Sequence, residues 1–294
     1  MKTDLTEIAS NSHSQQLHLG MLCLLAIMPF VAPQTVGGGF DSVFQWHSQA
    51  PGDLFAHAVA DAGDVNGDGW TDIYVCNSGN VEGDERHNEL YINNGDLTFS
   101  EQAKNYGLEN NGYSTHGAFF DYDKDGDLDL YLLNNSFKAI GSFNLVDNQR
   151  LIRDSVGGDM LYRNDGDKFT DVTVESGIYG SIIGFGLGVT IGDIDQDGWM
   201  DIYVSNDFFE RDYLYLNNQD GTFKETLVDM MRSISAASMG ADMADINNDH
   251  YPEIFVTDMI PEHDDRLKTK TTFDSWDSYK SNFDNGYHHQ FTRN

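Results

Sequence analysis

Gly192-Asp193-Ile194-Asp195-Gln196-Asp197-Gly198-Trp199-Met200-Asp201-Ile202-Tyr203-Val204 is the stretch that decides the fold. Counted from Asp193, acidic side chains stand at positions 1, 3, 5 and 9, glycine at position 6, and an apolar β-type run follows at once. The stretch returns three more times in the 294 residues, as Asp64-Val65-Asn66-Gly67-Asp68-Gly69-Trp70-Thr71-Asp72, Asp121-Tyr122-Asp123-Lys124-Asp125-Gly126-Asp127-Leu128-Asp129 and Asp245-Ile246-Asn247-Asn248-Asp249-His250-Tyr251-Pro252-Glu253. Successive copies start 57, 72 and 52 residues apart. A motif recurring at such a period marks tandem units, each too small to bury its own apolar faces and therefore stacked on its neighbours.

Two further columns align with the loops. Directly after each loop comes a strand: Ile73-Tyr74-Val75, Leu130-Tyr131-Leu132, Ile202-Tyr203-Val204 and Ile254-Phe255-Val256. Later comes a hairpin: Leu90-Tyr91-Ile92-Asn93-Asn94-Gly95-Asp96, Leu161-Tyr162-Arg163-Asn164-Asp165-Gly166-Asp167 and Leu214-Tyr215-Leu216-Asn217-Asn218-Gln219-Asp220-Gly221. Asn-Gly or Asp-Gly between apolar runs is the strongest short-range hairpin signal, because both turn residues take positive φ. An apolar segment also precedes each loop, for example Gly188-Val189-Thr190-Ile191. Each unit therefore reads strand, acidic loop, strand, connection, strand, turn, strand. That is a four-stranded antiparallel blade, and a tandem of blades predicts an all-β fold, a β-propeller with about four blades present. The second unit carries an insertion over roughly 137–154. The fourth lacks the hairpin column, so the propeller is expected to be partial, with open edges prone to aggregation.

The loops have the chemistry of a calcium cage. Ca²⁺ takes about six to eight oxygen ligands at about 2.3–2.6 Å, and alternate positions of a tight loop aim their side chains inward. Positions 1, 3 and 5 supply Asp64, Asn66 and Asp68; Asp121, Asp123 and Asp125; Asp193, Asp195 and Asp197; Asp245, Asn247 and Asp249. Position 7 contributes a backbone carbonyl, so its side chain varies: Trp70, Asp127, Trp199 and Tyr251. Position 9 closes the cage with Asp72, Asp129, Asp201 or Glu253. Glycine permits the turn at position 6 except in the fourth loop, where His250 stands at some backbone cost. An EF-hand shares the first half of this pattern but needs Glu at position 12. Position 12 here is Val75, Leu132, Val204 or Val256, which excludes it four times over. Zinc is disfavoured because no Cys or His occupies a ligand position. Magnesium would need a more rigid octahedron and more retained water.

The totals agree with this reading. The chain has 29 glycines, 5 prolines, 39% hydrophobic and 12% aromatic residues, which suits short strands and tight turns. Its net charge of −31 opposes binding to nucleic acid and anionic membrane surfaces. Four divalent ions would bring that charge to about −23. Only Cys23 and Cys76 are present, so no disulfide framework substitutes for metal. The charge-free run Leu19–Ala32 fits the hydrophobic part of a secretory signal better than a transmembrane helix. Residues 1–32 are accordingly assigned to a signal peptide or N-terminal hydrophobic segment, 33–52 to a linker and 53–294 to the repeat propeller.

Other groups carry weaker signals. His263, His288 and His289 with Asp264 and Asp265 match no metal-site spacing and read as surface residues near a ragged end. Cys76 reads as a small packed residue. Asn206-Asp207 and Arg211-Asp212 lie on a connection where propellers place binding loops, a candidate ligand face. No nucleophile–base pair, nucleophile elbow or phosphate-cradling loop is present, so no enzymatic activity is expected.

The acidic loops resemble those of the FG-GAP/VCBS repeat, the blade unit of integrin α-subunit propellers. Phe185-Gly186 resembles the FG element, which is degenerate in the other units as Phe55-Ala56, His116-Gly117 and Met239-Gly240. Tyr203–Asp212 and Asp258–Glu262 are similar to bacterial secreted VCBS-repeat proteins related to cartilage acidic protein, the ASPIC/UnbV group. The resemblance covers about residues 53–294. It implies structural Ca²⁺, a secreted or cell-surface location, cell adhesion or ligand display toward an extracellular protein or glycan, and complete propellers of about seven blades. The expected function is a secreted calcium-binding interaction module. The alternatives are a carbohydrate-binding lectin-like propeller and the non-catalytic part of a larger extracellular hydrolase.

Overall fold

The computed structural model describes residues 58–78, 87–136, 149–207, 210–258, 276–284 and 287–291, all within one compact unit, Leu54–Asn294. The N-terminal segment and linker expected over 1–52, most of the insertion near 137–154, and His263, Asp264 and Asp265 lie outside the described residues.

Three complete blades follow one another, each a four-stranded antiparallel sheet in sequence order. The first contains β1 (Ala58–Gly63), β2 (Asp72–Cys76), β3 (Glu89–Asn93) and β4 (Phe99–Glu101). The second contains β5 (Ser114–Phe120), β6 (Asp129–Asn134), β7 (Met160–Asn164) and β8 (Phe169–Asp171). The third contains β9 (Gly186–Gly192), β10 (Asp201–Asn206), β11 (Tyr213–Asn217) and β12 (Phe223–Glu225). Beyond β13 (Ile234–Ser235), the fourth repeat supplies the two-stranded sheet of β14 (Gly240–Ala244) and β15 (Glu253–Thr257). The short β16 (Gln290–Phe291) follows the helix Trp276–Asp284 and pairs in parallel with β13. The fold is the predicted all-β one: an incomplete propeller of about four blades, the fourth represented among the described residues by its first two strands.

The first strands pack on each other in succession, β1 on β5, β5 on β9 and β9 on β14. Among the described residues β14 shows no comparable packing against β1, so the ring is open. Gly186 shows why a glycine follows the Phe of the FG element. A Cβ there would fall 2.3 Å from Leu133 Cδ1 of the preceding blade. The hairpins differ from the sequence expectation in one respect. Only Gly166 of the two-residue Gly166-Asp167 turn has positive φ, whereas Gly95 and Leu97, and Gln219 and Gly221, bracket three-residue loops. One extra residue in the loop lets its two left-handed positions be separated.

The core is a set of blade–blade interfaces, as strand alternation requires. On β6, Leu130 and Leu132 join Tyr74, Leu90 and Ile92 of the first blade, while Tyr131 and Leu133 join Ile202, Val204 and Tyr215 of the third. On β10, Tyr203 faces the fourth repeat with Leu214, Leu227 and Ile234. Both β6 and β10 are buried along their whole length.

Candidate metal centres

Each acidic loop joins the first and second strands of its blade, and its main-chain frame is the same four times. The position 1 carboxylate accepts the position 6 N–H: Asp64 from Gly69 (2.8 Å), Asp121 from Gly126 (3.2 Å), Asp193 from Gly198 (3.0 Å) and Asp245 from His250 (2.9 Å). The position 5 carboxylate accepts the position 7 N–H: Asp68 from Trp70 (2.9 Å), Asp125 from Asp127 (3.0 Å), Asp197 from Trp199 (2.8 Å) and Asp249 from Tyr251 (2.9 Å). These bonds wind the chain inward around its own carboxylates.

Position 6 is left-handed in every loop, with φ of 90°, 98° and 87° at Gly69, Gly126 and Gly198 and 73° at His250. Position 4 is left-handed as well: Gly67, Lys124, Gln196 and Asn248 have φ between 60° and 72°. Sequence alone gives little sign of that second turn, because only the first loop marks it with glycine.

Position 9 plays a larger part than closing a cage. One oxygen accepts the position 2 N–H of its own loop: Asp72 from Val65 (3.1 Å), Asp129 from Tyr122 (3.1 Å), Asp201 from Ile194 (2.8 Å) and Glu253 from Ile246 (2.8 Å). In the complete blades the other oxygen accepts the N–H of the hairpin asparagine: Asn93 (2.8 Å), Asn164 (2.8 Å) and Asn217 (2.9 Å). Each oxygen keeps a lone pair for a cation. Burial pushes the Asp129 carboxyl up to about 7 and that of Asp201 to about 6, against the lowering effect of these same N–H donors, with neighbouring loop carboxylates adding to the rise.

The second and third loops fit a cation best. Carboxylate oxygens of Asp121, Asp123 and Asp129 lie within 4.8 Å of one another, as do those of Asp193, Asp195 and Asp197. Asp121 Oδ1 and Asp193 Oδ1 are buried with no hydrogen-bond partner. A buried oxygen without a donor is destabilising, and a hard cation offsets that cost. The first and fourth loops have an asparagine at position 3, and its amide donates within the loop: Asn66 Nδ2 to Asp68 (2.9 Å) and Asn247 Nδ2 to Glu253. No triple of close carboxylates forms there among the described residues. The twenty predicted ligand residues lie on the four loops, and two of these loops gather three close acids.

Neighbouring loops also touch. Lys124 Nζ sits 4.3 Å from the Trp199 ring centroid, a cation–π contact between the second and third loops. Gln196 Nε2 donates to the His250 carbonyl of the fourth.

A second repeated device lies at the far ends of the same strands. Tyr74 meets Asn88 (3.0 Å), Tyr131 donates to Asp159 (2.9 Å) and Tyr203 donates to Asp212 (2.6 Å). The same three residues accept the N–H of Asn77 (2.8 Å), Asn134 (3.0 Å) and Asn206 (2.8 Å). Asn206 and Asp212 are therefore buried fastenings, and Arg211 is paired with Glu225. Cys76 is buried, its thiol pushed up to about 12, in keeping with a packed residue. His289 Nδ1 lies 2.6 Å from Tyr279 Oη and its ring stacks on Phe283.

Blades whose first two strands are joined each time by the same acidic loop define a β-propeller of acidic-loop repeats. The profile of the FG-GAP-like repeat matches residues 64–132, 151–204 and 193–256, more than half of the chain, which therefore belongs to the FG-GAP-like repeat family. No match is found among curated proteins. Matching solved structures include a lectin of Agrocybe aegerita, described for its specific recognition of non-reducing terminal N-acetylglucosamine. It is 19% identical over 69% of this chain and 47% of that one, with a TM-score of 0.39. The match thus spans less than half the length of that protein.

Proposed function

We propose that the chain is a calcium-stabilised β-propeller working outside the cell as a protein-interaction or adhesion module, with no catalytic role for the ion. The observation that carries the calcium part of this reading is the pair of buried oxygens without a hydrogen-bond partner, Asp121 Oδ1 and Asp193 Oδ1, one in each loop that gathers three close acids. Asp121, Asp123, Asp125 and Asp129, and their counterparts in the third loop, would hold the ion. The first and fourth loops would bind more weakly, since Asn66 and Asn247 each replace a charge. The extracellular setting follows the habit of the family. No helix among the described residues is long and apolar enough to cross a membrane. The finer kinship to secreted ASPIC/UnbV proteins rests on Tyr203–Asp212 and Asp258–Glu262 alone.

Thermal melting against CaCl2 tests the proposal. A site that binds only the folded chain adds about 2.7 kcal/mol at a hundredfold excess over its Kd. The melting temperature is expected to climb with Ca²⁺, to fall with EDTA, and to respond less after Asp193→Ala. A melting curve indifferent to both additives would sink the reading. Carbohydrate binding is a second reading, favoured by exposed rings at position 7: Trp70 is 52% and Tyr251 58% exposed. A glycan array without hits would remove it.

A further inference from the structure

The four loops look like separate sites, yet three of them are joined by one unbroken run of buried hydrogen bonds. It begins at Asp72, which accepts the Val65 N–H (3.1 Å). The Val65 carbonyl accepts Nδ2 of Asn164 from the next blade (3.1 Å). The Asn164 N–H goes to Asp129 (2.8 Å), whose other oxygen accepts the Tyr122 N–H (3.1 Å). The Tyr122 carbonyl accepts Nδ2 of Asn217 from the third blade (2.8 Å). The Asn217 N–H goes to Asp201 (2.9 Å), which also holds the Ile194 N–H (2.8 Å). Every residue in this run is buried except Ile194, which is half-buried. Asn164 and Asn217 are the junctions. Each accepts from its own hairpin through Oδ1, from the N–H of Gly166 (3.0 Å) and Gln219 (2.9 Å), and shares Nδ2 between the loop of the preceding blade and a carbonyl of its own loop, Leu128 (3.2 Å) and Met200 (3.3 Å). Asn93, in the first blade, makes the local bonds only: its Nδ2 reaches the Thr71 carbonyl (3.1 Å) of its own loop.

We infer that Asn164 and Asn217 are positioning residues that couple the cation sites, so that a cation in one loop raises the affinity of the next. The inference rests on the reading that these loops take Ca²⁺. Its physical cause is shared ordering. Asp129 cannot be fixed by an ion without fixing Tyr122, and the Tyr122 carbonyl fixes Asn217, which sets Asp201. A cation entering the third loop then has less chain left to order. Hydrogen bonds in series also polarise one another in a low-dielectric interior. Simple charge argues the other way, because a divalent ion in one loop repels a second nearby. The sign of the effect therefore separates the two causes.

The test uses the full chain with terbium(III) as the probe, its luminescence sensitised by the tryptophan at position 7. Trp70→Phe leaves Trp199 as the position 7 sensitiser; because it also touches the second loop, third-loop affinity is read from the part of the signal that Asp193→Ala abolishes. Asp125→Asn, which disables the second loop, is expected to weaken terbium binding at the third by at least about fivefold, the lower range of typical site coupling. In an Asn217→Ala background the same Asp125→Asn change should shift third-loop affinity by less than about twofold. Asn217→Ser replaces it if the alanine variant does not fold. Asn93→Ala, which cuts no bond between blades, should leave coupling between the second and third loops intact. Unchanged or tighter third-loop binding after Asp125→Asn would overturn the coupling, as would its persistence without Asn217. Absence of terbium and Ca²⁺ binding in the unaltered chain would instead bring down the calcium reading itself.

Discussion

Asp159 shows how one buried residue can give this protein a pH dependence of its own. It accepts from Tyr131 Oη and from the Asn134 N–H, but burial outweighs both and holds its carboxyl up at about 7. Between about pH 4 and 7 the folded chain thus keeps a proton that the unfolded chain has lost. Stability from this group is complete below about pH 4 and is lost as pH rises toward 7, with a slope of at most about 1.4 kcal/mol per pH unit. Asp212, raised to about 6, adds in the same direction over a narrower window. Asp159→Asn should flatten the fall, as read from urea unfolding at a series of pH values in EDTA. Asn88 does the equivalent work in the first blade, so the substitution keeps the hydrogen bonds. An unaltered pH slope would show that Asp159 ionises normally.

At the scale of the element, the aromatic residue in the strand after each loop records how far the stacking extends. Tyr74, Tyr131 and Tyr203 are almost fully buried against the following blade, while Phe255 at the same position is 57% exposed. The strand sequences differ little, and the difference comes from what lies alongside. Tyr131→Ala should therefore cost about 3–5 kcal/mol, as large-to-small changes in a packed core do. Phe255→Ala should cost less than about 1 kcal/mol, as at an exposed position. Chemical denaturation of both variants checks the contrast, and equal losses would mean that β15 is covered in solution.

Across the whole molecule, charge is the dominant unbalanced quantity. At −31, with paired carboxylates in every loop, the metal-free chain repels itself. Salt screens that repulsion, since the Debye length shrinks from about 10 Å at 0.1 M to about 3 Å at 1 M. In EDTA the melting temperature should rise with NaCl, and saturating Ca²⁺ should reduce that dependence because the ions have already neutralised part of the charge. Differential scanning calorimetry at several salt concentrations measures both. A salt response unaffected by Ca²⁺ would mean that the loops are not where the repulsion resides.

The sequence by itself determined the repeat, the acidic loop, the strand after it and the hairpin, because each is written in residues a few positions apart and repeated often enough to be aligned. It also placed every candidate ligand, since the spacing within a loop is local. The tertiary structure alone decided which loops gather three acids, that position 4 turns left-handed beside residues as unlike as Gly67 and Lys124, and that position 9 bridges loop and hairpin. It alone decided that Asn164 and Asn217 reach back to Val65 and Tyr122, partners 99 and 95 residues away. A hydrogen bond across that separation leaves no period in the chain. It arises only when one blade is laid against the next.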